Sequence, residues 1–218
     1  MMQRIEEIRM SGMLPRVFVS ESIPDSQIWR GDVTFRRGEA VAVEAASGGG
    51  KSSLCAYIYG SRDDYEGTLR FNGTDVRTFS PAQWQELRRR HLAYLPQELS
   101  LFPELTAMEN IELKNSLTGH AGKEQIEEWL HELGIDSRRD YPAGRLSIGQ
   151  QQRVAILRSV CQPFDFILLD EPVSHLDEEN NAIAAAIVSR EAAWQGAGII
   201  STSVGNPISI DVDVRLRL

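Results

Sequence analysis

One stretch of the chain constrains its fold more than any other: "RGEAVAVEA" running into "SGGGKSSLCAYIYG". The first part reads as a turn followed by a buried strand of small and β-branched residues, and the second as a glycine turn opening a helix that Gly60 closes. A strand, a glycine loop and a helix in that order aim successive backbone N–H groups and a helix N-terminus at one point, which is how a chain cradles phosphate. Gly48, Gly49 and Gly50 let the backbone approach the ligand closely, between Ser47 on one side and Ser53 on the other. Lys51 offers a point charge for β- and γ-phosphates, and Ser52 offers a hydroxyl to Mg²⁺. The strict pattern G-x-x-x-x-G-K-[ST] begins with glycine, and here that position is Ala45. If the position needs a positive φ, alanine costs about 1–2 kcal/mol there, which weakens the grip without abolishing it. The competing reading, a plain flexible turn, leaves the strand before and the helix after unexplained.

Two further motifs bear on chemistry. "FILLDEP" is an apolar strand that ends in Asp170 and Glu171. In a parallel sheet, carboxylates at the C-terminal end of a strand stand where ligands bind, one able to hold a Mg²⁺ shell and its neighbour to orient an attacking water. "RLSIGQQQRVAILR" begins as a helix with a serine cap, and by itself says nothing more.

Between these motifs strands alternate with helices, which predicts an α/β protein with a mainly parallel core sheet. Residues 4–19 hold short apolar runs suited to a small antiparallel β layer, and "GTLRFNGTDV" reads as a hairpin turning at Asn72-Gly73. "HLAYLPQ" is a short strand stopped by Pro96. From Glu98 to Gly144 the pattern turns polar and helical, with Ile126, Trp129, Leu130 and Leu133 on one helix face, so an inserted helical subdomain is expected over 98–145. Residues 1–97 and 146–218 then form the core and its β layer, all in one domain.

A net charge of −8 without a basic arm argues against nucleic acid as the main partner. Cys55 and Cys161 sit in apolar helical contexts and read as buried packing in a reducing compartment. "MMQRIEEIRM" carries charge where a secretory signal needs an apolar run, and no segment nears ~18 consecutive apolar residues, so no membrane span is expected. Arg88, Arg89 and Arg90 read as a solvated helix end, and His91, His120, His131 and His175 as surface or packing residues.

Taken together, the three motifs resemble the ATP-binding cassette family, and specifically the nucleotide-binding subunits of ABC transporters. Leu146-Ser147-Ile148-Gly149-Gln150 is similar to the family signature LSGGQ. "YLPQELSLFPELTAMENI" resembles its Q-loop and Ser174–Asp177, "SHLD", its D-loop. The Q-loop stretch is most similar to exporters of the lipoprotein-releasing or macrolide type. The resemblance implies a P-loop ATPase with ATP and Mg²⁺ as ligands. Lys51, Ser47–Ser53 and, by stacking on adenine, Phe18 would hold the nucleotide, although a core phenylalanine explains Phe18 nearly as well. Ser52, Gln97 and Asp170 would serve the metal, with Glu171 as hydrolytic base and Gln97 as sensor. Ser147, Gly149, Gln150 and Asp177 would meet the nucleotide of a second cassette packed head to tail, in a homodimer or a heterodimer. The resemblance also implies transmembrane permease subunits as partners and a cytoplasmic, membrane-peripheral location. "ELSLFPELTAMEN" would line the groove for a permease helix, or else be subdomain core.

Two departures from the family pattern besides Ala45 matter. Ile148 stands in place of the first signature glycine, a mild change with Ser147 and Gly149 present. Ser203, in "GIISTSVGNP", stands where the family has a switch histidine, and no histidine follows His175 from which a register shift could recover one. Losing one preorganised donor slows turnover by about 10²–10³. A slow transport ATPase is therefore expected, with an ATP-operated regulatory switch as the second reading. A soluble ABC protein of repair or translation would carry two cassettes or long insertions, and a small-molecule kinase has no use for "LSIGQQQR".

Overall fold

A computed structural model describes residues 3–19 and 26–218. In chain order its strands and helices are β1 (Glu7–Pro15), β2 (Asp32–Arg36), β3 (Ala40–Glu44), α1 (Lys51–Tyr59), β4 (Tyr65–Phe71), β5 (Thr74–Asp75) and α2 (Pro81–Arg90). There follow β6 (Leu92–Leu95), α3 (Ala107–Asn115), α4 (Lys123–Glu132), α5 (Ile148–Val160), β7 (Phe166–Asp170), α6 (Glu178–Gln195), β8 (Gly198–Ser203) and β9 (Val214–Arg217).

Five strands form one sheet in the order β6-β7-β8-β3-β9, and every pairing in it is parallel. β7 is buried at all five positions and β8 at all six, as strands covered on both faces must be. The second sheet is antiparallel, in the order β2-β1-β4-β5. Its hairpin turns where the sequence places it, with Asn72 at φ 47° and Gly73 at φ 80°. Two strands escape the sequence reading. β2 (DVTFR) and β9 (VRLR) are short and rich in polar residues, and pairing with β1 and β3 makes them strands, with Phe35 the one fully buried side chain between them.

Two apolar clusters hold these layers. One packs Met10, Phe35, Leu69 and Phe71 of the antiparallel sheet against Leu54 and Ile58 of α1 and against Leu168 and Ile200 of the parallel sheet. The other joins Ile111, Trp129 and Leu130 of the inserted helices to Val154 and Leu157 of α5 and to Leu169 and Ile199 of the sheet. The helices start where their sequences cap them. Ser80/Gln83, Thr106/Glu109 and Ser147/Gln150 each close a reciprocal capping box.

Some residues do more than their sequence context suggests. Arg88 is not a solvated helix end: its guanidinium donates to the carbonyls of Tyr59 (3.1 Å) and Gly60 (2.5 Å) and lies over the rings of Tyr59 and Trp84. It satisfies the C-terminal carbonyls of α1, the helix that carries the glycine loop. Arg89 and Arg90 pair with Glu86 on their own helix, as exposed arginines do. His91 is buried, with Nδ1 2.6 Å from the carboxylate of Asp165, which also accepts the Ile5 N–H. Cys55 and Cys161 are buried free thiols that desolvation pushes well above the usual thiol range, so neither is a ready nucleophile. No helix among the described residues is long and apolar enough to cross a membrane.

Candidate nucleotide site

The loop between β3 and α1 lies at the C-terminal edge of the parallel sheet. Gly48 (φ 82°) and Gly50 (φ 92°) take backbone conformations that disfavour side chains. A Cβ on Gly50 would also stand 3.1 Å from the rings of Phe18 and Trp29, so glycine is required there twice over. Trp29, buried, donates its indole N–H to the Gly49 carbonyl at 3.0 Å and fixes the loop from outside. Phe18 is half-buried at the same edge of the loop, packed against the core beside it.

The penalty anticipated at Ala45 does not arise. Ala45 is not among the residues with positive φ, so a methyl group is tolerated. Its methyl instead occupies the space left by Gly49, where an added Cβ would stand 3.0 Å from it.

Lys51 opens α1 and is only 5% exposed. Its ammonium donates to the Ala46 carbonyl (3.0 Å) and lies 3.5 Å from Glu171 Oε1. Strand pairing brings the remaining groups alongside: β8 sets Thr202 opposite Asp170 of β7 and Ser203 opposite Glu44 of β3. Thr202 Oγ1 donates to Asp170 Oδ1 at 2.7 Å. The other oxygen, Asp170 Oδ2, is buried and has no hydrogen-bond partner among the described residues. Ser52 Oγ, exposed at the loop, lies 3.4 Å from Gln97 Oε1, and Ser53 Oγ accepts from Arg62. The hydroxyl of Ser52, the amide oxygen of Gln97 and an orphaned carboxylate oxygen make an all-oxygen donor set, which suits Mg²⁺.

Glu171 is the next residue after β7 and stands at φ 50°, a left-handed conformation costing a non-glycine residue about 1–3 kcal/mol. Three contacts over-determine it. Its N–H donates to the carbonyl of Thr202 (3.2 Å), its carbonyl accepts from Gln152 Nε2 (3.2 Å), and its carboxylate faces Lys51.

Burial lifts the Asp170 carboxyl above the usual carboxylate range, and neighbouring Glu171 adds to this, against the lowering effect of the nearby Ser52 and Thr202 hydroxyls. A group with a raised folded-state pKa binds its proton more tightly in the folded protein. Its contribution to stability therefore falls as pH rises from the ordinary carboxylate range through the raised value. Without Mg²⁺, Asp170→Asn is expected to raise Tm at neutral pH, by about 2–4 °C for each kcal/mol recovered. The same variant should lose the Tm gain that MgATP gives the parent chain. A thermal scan at two pH values measures both, and an unchanged or lower Tm at neutral pH contradicts an unpaired buried carboxylate.

Ser203 ends β8, buried, and its carbonyl accepts the Ala45 N–H at 3.3 Å. It therefore stands at the entrance of the phosphate loop. Ser147, Gly149, Gln150 and Asp177 are not drawn to that loop. Ser147 caps α5 and Gln150 completes its capping box; Asp177 caps α6 by accepting the Asn180 N–H at 2.8 Å. Gly149 is fixed by space, since a Cβ there would stand 2.9 Å from the His175 carbonyl. Ile148, half exposed, points away from the core. One buried amide joins these parts. Gln152 donates to the carbonyl of Glu171 and accepts from the N–H of His175, so α5, Glu171 and the segment Ser174–Asp177 are tied to one another. Gln152, Thr202 and Trp29 carry no sequence signal of their own, because their roles come from contacts 19 to 32 residues away.

Burial varies over residues 98–117, which extend past the stretch "ELSLFPELTAMEN". Leu99, Met108 and Ile111 are core, whereas Phe102, Leu113 and Leu117 are about half exposed. With Tyr94 and Pro96 these three line an open cleft of about 440 Å³.

An α/β sheet with a phosphate loop at its C-terminal edge and paired acids on the next strand but one defines a P-loop nucleotide-binding protein. The family model described as "ABC transporter" matches residues 30–174, and the chain belongs to that family. It is 37% identical over 160 residues to the macrolide export ATP-binding/permease protein MacB 1 of Aeromonas hydrophila, covering 72% of this chain and 25% of that protein. It is 35% identical over 150 residues to the ABC transporter ATP-binding protein YtrE of Bacillus subtilis, with 67% of this chain and 65% of YtrE covered. The lipoprotein-releasing system ATP-binding protein LolD 1 of Caulobacter vibrioides is 37% identical over 153 residues, covering 68% of this chain and 65% of LolD 1. The chain thus spans a quarter to two thirds of these relatives. In fold it superposes on a dimeric bacterial ABC transporter cassette, MJ0796, with a TM-score of 0.73, 22% identity, and coverage of 90% of this chain and 87% of that one. The same cassette in a post-hydrolysis state, bound to ADP and Pi, gives a TM-score of 0.71.

Proposed function

We propose that this chain binds MgATP, pairs head to tail with a second cassette, and hydrolyses ATP to drive a membrane transporter. The observation that carries this reading is the convergence of Lys51, Asp170, Glu171 and Thr202 on the glycine loop, with an unpaired carboxylate oxygen beside Ser52 and Gln97. Loop amides and Lys51 hold the β- and γ-phosphates. Ser52, Asp170 and Gln97 hold Mg²⁺, which neutralises charge on the phosphates when bound. Glu171 accepts the proton of the attacking water, and its strained, over-determined backbone keeps the carboxylate aimed. The exposed end of α5, with Ser147 and the Gly149 amide, serves the γ-phosphate of the partner cassette as a helix N-terminus serves any anion.

The cleft with half-exposed Phe102, Leu113 and Leu117 suits an apolar permease segment, which supports the reading of a peripheral subunit on the cytoplasmic face. Nucleic acid is not an expected partner at a net charge of −8. Whether the two cassettes are identical is decided by co-purification, as is the membrane subunit.

Ser203 sets the rate. Its hydroxyl is shorter than an imidazole and carries no comparable positive charge, so hydrolysis is slow. Ser203→His is expected to raise steady-state ATP turnover by ~10-fold or more. A variant no faster than the parent chain contradicts a rate limited at this position. The same serine favours the second reading, a cassette that regulates by binding ATP. Turnover that stays negligible with the membrane partner bound would favour the switch, and turnover that rises would favour the motor.

A further inference from the structure

We propose that His175 acts across the dimer: the imidazole of each chain donates a hydrogen bond to the γ-phosphate held by its partner, the role left open by Ser203. The inference rests on the head-to-tail pairing proposed above.

The placement of His175 follows from its contacts. Its carbonyl lies so close to Gly149 that a Cβ there would stand 2.9 Å away, so the D-loop is in direct contact with the first turn of α5. The backbone of His175 therefore lies beside the turn that carries the Gly149 amide. Its backbone N–H donates to Gln152 Oε1 at 2.9 Å, and the same amide donates to the carbonyl of Glu171. The segment from Glu171 to His175 is thereby fixed relative to α5, so the imidazole is carried by a rigid support. The residue is exposed, and it has no ion-pair partner among the described residues.

The ring chemistry suits a donor. Ser174 Oγ lies 3.0 Å from His175 Nδ1. With the hydroxyl donating to Nδ1, the ring proton resides on Nε2, a donor with no hydrogen-bond partner among the described residues. An imidazole donor at a γ-phosphate is the group missing at Ser203, and His175 is the histidine that the fold sets beside the signature turn. Ser203 thus accounts for a slow site and His175 for one that still turns over.

A cross-link tests the placement without measuring turnover. Chains carrying His175→Cys and chains carrying Val204→Cys, at the exposed neighbour of Ser203, both with Glu171→Gln, are mixed and treated with a short bismaleimide. Cys55 and Cys161 are buried, so background labelling is low. A covalent heterodimer that requires MgATP is expected. Dimers seen by light scattering without a cross-link overturn the role of His175 and leave head-to-tail pairing standing, whereas absence of any MgATP-dependent dimer overturns both.

Turnover supplies the second test. His175→Ala is expected to lower the turnover of the parent chain by ~10²-fold, a loss that shrinks to less than about threefold when Ser203→His is also present. An equal loss in both backgrounds means a structural role and overturns the proposal, as does no loss in the parent chain. Mixed dimers assign the side. With Lys51→Ala in one chain and His175→Ala in the other, the intact phosphate loop faces an intact His175 and turns over. With both changes in one chain, the intact loop faces the altered D-loop and turnover falls. The reverse order overturns action across the dimer.

Discussion

Replacing Glu171 with glutamine is expected to lower steady-state ATP turnover by ~10³-fold while MgATP affinity stays within a few-fold of the parent chain. A positioned general base contributes about 10²–10⁴-fold, and an amide cannot accept the proton of the attacking water. The side chains are close in size, and the contacts that hold the backbone at residue 171 come from Thr202 and Gln152 through main-chain groups, so the conformation survives the change. Two electrostatic consequences act in the same direction. Lys51 loses a carboxylate 3.5 Å away and is freed for phosphate, while Asp170 loses the like charge that helps lift its pKa and grips Mg²⁺ more firmly. Both favour bound MgATP, so the nucleotide should accumulate uncleaved. Single-turnover assays with equilibrium binding check this, and a loss of binding equal to the loss of rate would contradict the role of Glu171 as a base.

The second large effect is expected at Lys51. Hydrogen bonds to charged groups contribute about 1.5–3 kcal/mol each, so Lys51→Ala should weaken MgATP binding by ~10–100-fold and remove measurable turnover. The change also strands Glu171, whose carboxylate faces no other cation within 4 Å among the described residues. Calorimetric titration with MgATP and with MgADP separates the contributions. A loss confined to ATP places the ammonium on the γ-phosphate, whereas an equal loss with both nucleotides places it on the β-phosphate. Unchanged affinity for both would contradict the loop as the phosphate site.

Much of this site is legible in the residues because its parts are local. The strand into the glycine loop, the helix that Gly60 stops, and the strand that ends in Asp170 and Glu171 each declare themselves through period, turn chemistry and capping. The hairpin at Asn72-Gly73 is legible for the same reason. What is not legible depends on contacts far along the chain. β9 is a strand because β3 offers a parallel edge, although only one of its four residues is even partly covered. Ala45 looks like a defect in a pattern and becomes acceptable only when its φ and the neighbouring Gly49 are known. Arg88 reads as surface charge until the carbonyls of α1 arrive beneath it. Gln152 is one glutamine in a polar run, and only the fold makes it the joint between Glu171 and the D-loop.

The central claim is a composite site, assembled by MgATP from the phosphate loop of one cassette and the signature turn of another. The most direct measurement is the molar mass of the Glu171→Gln chain by light scattering, with and without MgATP. The expected result is a doubling of mass with MgATP that disappears with ADP, with Lys51→Ala, and with Ser147→Arg, which blocks the signature turn while leaving the loop of the same chain intact. A mass that stays monomeric with MgATP bound, or a dimer indifferent to Ser147→Arg, would contradict it.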